Sequence, residues 1–213
     1  MKIKTTAVVI VSSMGFASGY TVSVTNETQF SAPSLPIVDN TGSPLASGTF
    51  AVGFFGSDAA VTGNADDFAV LLGGFTEYGT SVAATSNLAP GLFTVNAPPE
   101  WTVSVPSGTT GGQVGSSVYV IFGEGSSLAV SNTLAVWKSD SVFGTEDDSG
   151  QGTVAVDLAT GLGTLLLGDD TGPTDIGVVY DSNITLVEER VPEPSTSLLA
   201  GLAGLGLAFR RRR

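Results

Sequence analysis

The chain has 213 residues and a formal net charge of −12, and 42% of its residues are hydrophobic against 13% that are charged. Between residues 20 and 191 only Lys138 and Arg190 are basic, against 19 acidic residues, and a segment this acidic repels phosphate backbones, which excludes nucleic acid as a partner. The chain has no cysteine and no histidine, which excludes disulfides, a Ser-His-Asp triad and zinc sites built on these residues.

The N-terminus has the features of a secretory signal peptide. Lys2 and Lys4 form a basic start, residues 5–16 are a modest apolar stretch, and the small residues Ala17 and Gly19 follow. Small residues at this position suit cleavage by a signal peptidase. We therefore predict a signal peptide over residues 1–19. The alternative is a first buried strand, because residues 7–11 are rich in β-branched side chains.

Residues 20–187 have the pattern of a mostly β domain. Short runs of β-branched or aromatic residues recur between turn residues. The pattern predicts one antiparallel β-sandwich or jelly-roll-like domain, held together by core burial alone. The predicted strands are residues 20–25, 49–55, 91–95, 101–105, 117–122, 134–138, 152–158, 163–167, 176–180 and 184–187.

One segment, residues 64–78, has the periodicity of a helix. Its larger apolar residues trace one helical face; they are Phe68, Leu71, Leu72, Phe75 and Tyr78. Asn64 is suited to cap the first turn and Gly79 to end the helix. The spacing predicts one short amphipathic helix that depends on packing, because Gly73 and Gly74 lower its intrinsic stability.

Carboxylates in two loops are candidate ligands for Ca²⁺, which prefers oxygen. They are Asp147 and Asp148 in one loop and Asp169 and Asp170 in the other. Neither loop has the spacing of an EF-hand. Asp is also common in solvated turns, where it bonds its own backbone, so both interpretations stay open.

Trp101 and Trp137 are candidate sugar contacts, because an exposed indole can stack on a sugar ring. The alternative is that both rings supply core area. Paired carboxylates can hydrolyse glycosides without histidine, but no local motif singles out two of the acidic residues. We therefore predict a protein with no catalytic residues and no cofactor.

The C-terminal residues 195–213 combine an apolar segment with a basic end. Residues 195–209 carry no charge, and Arg210, Arg211, Arg212 and Arg213 follow directly. Such arginines stay in cytoplasmic water, which orients the rest of the chain to the outside. Fifteen helical residues span about 22 Å of a hydrocarbon core of about 30 Å, so this predicted transmembrane helix is a weak permanent anchor.

The predicted transmembrane helix has one face of small residues. Leu198 lies in its first half, and Ala200, Gly204 and Ala208 recur every four residues. Such a face permits close approach of another helix. The spacing indicates either docking into a processing enzyme or a general preference of such tails for small residues.

The tripeptide Pro192, Glu193 and Pro194 precedes this helix, inside a predicted linker over residues 188–194. A Pro-Glu-Pro tripeptide, an apolar span and terminal arginines, in this order, resemble the PEP-CTERM sorting signal of Gram-negative bacteria. The resemblance implies retention in the inner membrane by the tail, then cleavage near the tripeptide by an exosortase, a membrane protease. The alternatives are an ordinary tail anchor or a buried C-terminal helix.

A second resemblance lies in the predicted domain. Residues 48–55, 75–79, 117–123 and 134–138 are similar to a recurrent ectodomain of exported PEP-CTERM proteins. This resemblance implies a shared fold and carries no assigned activity.

Together these features predict an exported cell-surface or extracellular-matrix protein with a structural or adhesive role. Its implied partners are an exosortase, the export machinery, the inner membrane before processing, and exopolysaccharide in the matrix. The alternative is a carbohydrate- or calcium-binding module of that matrix, and a glycoside hydrolase is a more distant one.

Overall fold

The computed structural model describes residues 19–26, 35–86, 91–96, 102–104, 115–144, 151–159, 162–170, 174–175, 179–180 and 183–189. Within these ranges the strands are β1 (Gly19–Thr25), β2 (Ile37–Val38), β3 (Ser47–Phe55), β4 (Phe75–Glu77), β5 (Val82–Thr85), β6 (Thr94–Asn96), β7 (Thr102–Ser104), β8 (Ser117–Gly123), β9 (Thr133–Val142), β10 (Gln151–Asp157), β11 (Gly163–Leu167), β12 (Thr174–Asp175), β13 (Val179–Tyr180), β14 (Ile184–Thr185) and β15 (Val187–Glu188). The helices are α1 (Asp58–Thr62), α2 (Phe68–Gly73) and a 3-10 helix, Leu128–Val130.

A seven-stranded antiparallel sheet forms the centre of the fold. Its order is β11-β9-β8-β3-β4, with β5 also paired to β3 and β15 also paired to β9. At each edge of the sheet, two short strands therefore pair with the same long strand: β11 and β15 with β9, and β4 and β5 with β3. Short edge strands limit edge-to-edge association with other chains.

Both faces of this sheet are buried against other parts of the domain. Along β8, Val118, Val120 and Phe122 pack in one core, and Tyr119 and Ile121 pack in another. Successive side chains of a strand point to opposite faces, so a core lies on each side of the sheet. A strand buried on both faces is apolar at consecutive positions, which explains why residues 117–122 were predictable as a strand.

The first core lies between the large sheet and a four-stranded sheet. In the smaller sheet β1 pairs with β10 on one side and with β6 and β7 on the other. Val22, Val24, Val154 and Val156 of β1 and β10 pack in this core. The two facing sheets confirm the predicted mostly β, sandwich-like fold. Two pairings are parallel, β1 with β10 and β2 with β14, so the pairing is not antiparallel throughout.

The second core lies between the large sheet and the helices. Val61 of α1 and Phe68 and Leu71 of α2 pack there with Phe55 and Ile121 of the sheet. The two short α-helices cover a face that would otherwise expose the apolar side chains of β3 and β8. The fold is thus layered as small sheet, large sheet and helices.

The predicted helix over residues 64–78 is only partly right. Residues Phe68–Gly73 form α2, but Phe75–Glu77 form β4, paired with β3. The cap is Asp67 and not Asn64, because its carboxylate accepts the N–H of Val70 at 2.9 Å. The helix ends at the Gly73-Gly74 pair, whose low helix propensity outweighs the apolar periodicity that continues to Tyr78.

Most predicted strands are confirmed with shifted ends. The strands predicted at residues 20–25, 49–55, 117–122, 152–158 and 163–167 lie within two residues of β1, β3, β8, β10 and β11. The strand predicted at 134–138 is longer and covers Thr133–Val142. The strand predicted at 91–95 begins at Thr94, because Gly91 adopts a turn conformation with φ of 83°.

The remaining predicted elements are shortened, divided or partly outside the described residues. Within residues 101–105 and 176–180, the structure describes Thr102–Ser104 and Val179–Tyr180, and both are strands. Residues 184–187 divide into β14 and β15, which pair with different partners. Residues 1–18 of the predicted signal peptide lie outside the described residues, and Gly19, its last residue, is the first residue of β1.

A buried asparagine joins three separate segments at the edge of the first core. Asn26 is 1% exposed. Its amide group donates to Leu35 O at 2.9 Å and to Gly91 O at 2.8 Å, and its side-chain oxygen accepts the N–H of Phe93 at 2.6 Å. Phe93 packs in turn against Phe50 of β3, with ring centroids 5.0 Å apart. No local pattern in the sequence predicts this role of Asn26.

A close approach of two backbones occurs in the middle of β3. Gly53 faces Glu77 of β4 and Tyr119 of β8 in the sheet register. A Cβ atom on Gly53 would lie 2.6 Å from Phe75 Cζ and closer still to the backbone oxygen of Thr76. Only glycine therefore allows β4 to pair with β3 at this distance.

Candidate functional site

Residues 187–189 are the last residues of the chain that the structure describes, and we call them the exit strap. Its strand β15 pairs with the outer edge of β9. Just before the strap, Leu186 is fully buried and donates its N–H to Val38 O at 3.0 Å. At the end of the strap, Glu189 donates its N–H to Asn132 O at 3.3 Å. The backbone is thus held to the domain up to residue 189.

Side chains of the exit strap add further contacts. The Glu189 carboxylate accepts the N–H of Phe68, the first residue of α2, at 3.0 Å. Asn40 donates a hydrogen bond to the Glu188 carboxylate. Because Asp67 caps the same helix, two carboxylates lie at the positive end of the α2 dipole. The linker predicted over residues 188–194 therefore begins no earlier than residue 190.

A small polar cluster joins α1 to the large sheet. Lys138 is the only basic residue within the described ranges. Its Nζ lies 2.8 Å from one oxygen of Asp58, and the Tyr119 hydroxyl donates to the other oxygen at 2.6 Å. The Lys138 ammonium also lies 5.9 Å from the centre of the Tyr119 ring, within the range of a cation–π contact.

The cluster holds its acidic groups in fixed protonation states near neutral pH. Hydrogen bonds from Lys138 and Tyr119 lower the pKa of Asp58. Burial, and then the hydrogen bond and charge of Asp58, raise the pKa of Tyr119. A general acid or base works best with a pKa near the operating pH, so this geometry suits a structural tie better than proton transfer. The only feature of the sequence that pointed to this cluster is that Lys138 is the one lysine among residues 20–191.

A shallow groove of about 330 Å³ crosses one end of β3 and β5. Its lining consists of small and hydroxyl-bearing residues with one carboxylate: Ser47, Gly48, Thr49, Ala83, Ala84, Thr85, Glu124, Gly125 and Ser126. Thr49 Oγ1 donates to Gly125 O at 2.7 Å and so fixes the loop to the strand. Hydroxyl and carboxylate groups of this kind can hydrogen-bond a polar ligand such as a sugar.

Trp137, a predicted sugar contact, lies in the first core and is 6% exposed. Its Nε1 is buried without a hydrogen-bond partner among the described residues. Gly163 lies directly against the indole, since a Cβ there would come within 2.8 Å of Cε2. This placement favours the alternative that the ring supplies core area. Trp101, the other predicted contact, lies outside the described residues.

The predicted calcium ligands are not brought together in the part of the chain that the structure describes. Asp169 and Asp170 are exposed. The backbone of Asp169 exchanges hydrogen bonds with Thr185 at 3.0 and 2.8 Å, and Asp170 accepts the N–H of Asn183 at 3.4 Å. Asp147 and Asp148 lie outside the described residues. The described ranges contain no group of three or more Asp and Glu side chains able to hold a metal ion.

The predicted sorting tripeptide, transmembrane helix and terminal arginines, residues 190–213, follow the exit strap and lie outside the described residues. Among the residues that are described, no helix has the length and apolar character that crossing a membrane requires.

Comparison with known proteins identifies this C-terminal segment. Residues 190–213 match the PEP-CTERM protein-sorting motif, which confirms the predicted sorting signal. Comparisons with curated proteins and with solved structures gave no match. The similarity of the domain to a recurrent ectodomain therefore stays a prediction. The motif implies a membrane-anchored tail that an exosortase processes for export to the cell surface.

Proposed function

We propose that this chain, a sorting substrate by virtue of residues 190–213, delivers a non-catalytic structural or adhesive domain to the cell surface or extracellular matrix of a Gram-negative bacterium. Residues 1–19 direct export. Residues 195–213 anchor the precursor in the inner membrane until an exosortase removes the tail. The observation that carries this proposal is the PEP-CTERM motif at the end of the chain.

The described domain supports a role outside the cell. Its large sheet is buried on both faces, and this burial stabilises a chain that has no disulfides. Its one described cation, Lys138, is paired with Asp58, so the other charged side chains in the described ranges are acidic. Such a surface keeps a protein soluble and repels anionic surfaces.

Intact-mass analysis of the protein from fractionated host cells tests the proposal. We expect the mature chain to lack the first 17–19 residues and everything after the Pro192 region, and to be found outside the inner membrane. A matched variant with Arg210, Arg211, Arg212 and Arg213 replaced by glutamine should lose its membrane retention, because the positive-inside signal is gone. A mature wild-type chain that still ends at Arg213 contradicts the proposal.

The groove at β3 and β5 favours one second function, binding of exopolysaccharide. Its hydroxyls, carbonyls and single carboxylate, Glu124, match the hydrogen-bonding groups of a sugar. Its open shape would admit a chain, as a matrix polysaccharide requires. In this function the groove, and not the buried face of Trp137, supplies the contacts.

Glycan-array binding by the mature protein tests this second function. We expect Thr85→Val with Glu124→Leu to weaken binding at least tenfold, because a hydroxyl and a carboxylate that can bond the ligand are both lost. Thr76→Val is the matched control, since Thr76 is exposed on the neighbouring strand β4 and lies outside the groove. Binding that survives the groove changes but is lost on Trp101→Ala would instead assign the contact to that indole.

A further inference from the structure

The sorting motif begins one residue after the exit strap. Glu189 is held by Asn132 and by the first residue of α2, and Pro192 follows three residues later. An extended chain covers at most about 3.6 Å per residue, so Pro192 stays within about 11 Å of Glu189. Only residues 190 and 191 thus separate the strap from the first residue of the tripeptide.

The backbone of the exit strap is already used by the domain. The strand β15 pairs with β9, and Glu189 continues the same ladder through Asn132. An extended peptide that enters a protein cleft commonly binds by pairing its backbone with a strand of the partner. The same N–H and C=O groups of the strap are unable to pair with β9 and with a processing enzyme at once.

We infer that the exit strap is a release element that sets the rate of tail removal. When it is paired with β9, the enzyme reaches only the residues after Glu189. When it separates from β9, the segment on the domain side of the tripeptide becomes free to enter the cleft. This inference rests on the proposed function, because it concerns the step in which the exosortase removes the tail.

The structure makes the release local. The strap is two residues of strand and one further backbone hydrogen bond, and Glu188 and Glu189 are exposed. Elements with few buried contacts open more readily than the core around them. The preceding residue, Leu186, is fully buried in the first core, so opening stops there and leaves the domain folded.

A disulfide between the strap and β9 tests the inference in the native host. Thr133 and Glu188 are direct antiparallel partners, and because Glu189 N–H bonds Asn132 O, they form a non-hydrogen-bonded pair, whose Cα atoms are about 4.5 Å apart. That distance is within disulfide range. The chain has no cysteine of its own, so Thr133→Cys with Glu188→Cys gives a single crosslink in the oxidising envelope.

We expect the crosslinked full-length chain to lose its tail at least tenfold more slowly than the wild type, as measured by pulse-chase with intact mass. Thr133→Cys alone should be processed at the wild-type rate, and Glu188→Cys alone should be processed no more slowly than the wild type, because it only removes the bond from Asn40. A reductant should restore processing of the crosslinked chain. A crosslinked chain that is processed at the wild-type rate overturns the inference. If the wild-type chain itself keeps its tail, the proposed function fails instead.

A loosened strap gives an independent test that needs no crosslink. We expect Glu189→Ala to speed tail removal several-fold, because the strap loses its hydrogen bond to α2. Glu189 lies just before the matched motif. The matched control is Asp67→Ala, which removes the other carboxylate at the same helix end and does not touch the strap. Equal effects of the two changes, or no effect of Glu189→Ala, overturn the inference.

Discussion

Replacing Asn26 with leucine should lower the free energy of unfolding of the mature chain by about 3–5 kcal/mol, a large loss for a single substitution. The Asn26 side chain is 1% exposed and makes three hydrogen bonds to backbone groups of other segments. A leucine of similar size fills the space, but it leaves the buried Phe93 N–H and the part-buried Leu35 O without the Asn26 side chain as their partner. Urea unfolding measures the loss.

The effect should extend from Asn26 to the packing of the first core. Phe93, whose N–H bonds Asn26, is 2% exposed and contacts the ring of Phe50. Asn26→Asp should be at least as damaging, because a carboxylate cannot donate to Leu35 O or Gly91 O. Asn132→Ala is the matched control, since Asn132 is exposed and contributes its backbone oxygen to the strap. Equal stability of the Asn26→Leu and Asn132→Ala chains would contradict this account.

Replacing Gly53 with alanine should cost about 3 kcal/mol and displace β4 from the edge of β3. The added methyl group would overlap the backbone oxygen of Thr76 and the ring of Phe75. A backbone atom in a paired strand cannot rotate away as a flexible side chain can, so the strands must separate. The same substitution should loosen the contact between Phe55 and Phe75, whose ring centroids are 5.1 Å apart.

Gly56→Ala provides the control for this prediction. A Cβ on Gly56 would have no atom within 4 Å, so the change should alter stability by no more than about 0.5 kcal/mol. Thermal and urea unfolding of the two variants in parallel separates a local clash from a general effect of replacing glycine. A Gly53→Ala chain as stable as the Gly56→Ala chain would show that β4 is not held as described.

The central strands could be predicted because their information is local. Strands β3 and β8 are apolar at consecutive positions, and this pattern follows directly from burial on both faces. The end of α2 was not predicted because two features of the sequence disagree there: the helical spacing of apolar residues continues, but the helix propensity is low. The apolar spacing continues through Phe75 and Tyr78, but the helix ends at the glycine pair at residues 73–74. The residues that follow pair with β3 and form β4.

The sorting signal could be predicted for the same reason, since the tripeptide, apolar span and arginines are contiguous. The sites within the domain could not. The groove combines residues 47–49, 83–85 and 124–126. The side chain of Asn26 forms hydrogen bonds with residues up to 67 positions away in the sequence. No short window of sequence contains such sets. Glu188 and Glu189 were predicted as part of the linker because β15 has only two residues, too few to show the alternating apolar pattern of a strand.

The parallel pairing of β1 with β10 has a consequence for how the protein crosses a membrane. Gly19 pairs with Gln151 in that register, so β1, the first strand within the described residues, lacks this partner until residues from the last third of the chain are available. A chain threaded through a translocation channel from its N-terminus exposes β1 early and Gln151 late. Closing so long a loop is entropically costly, and the chain should stay unfolded and export-competent until most of it has emerged.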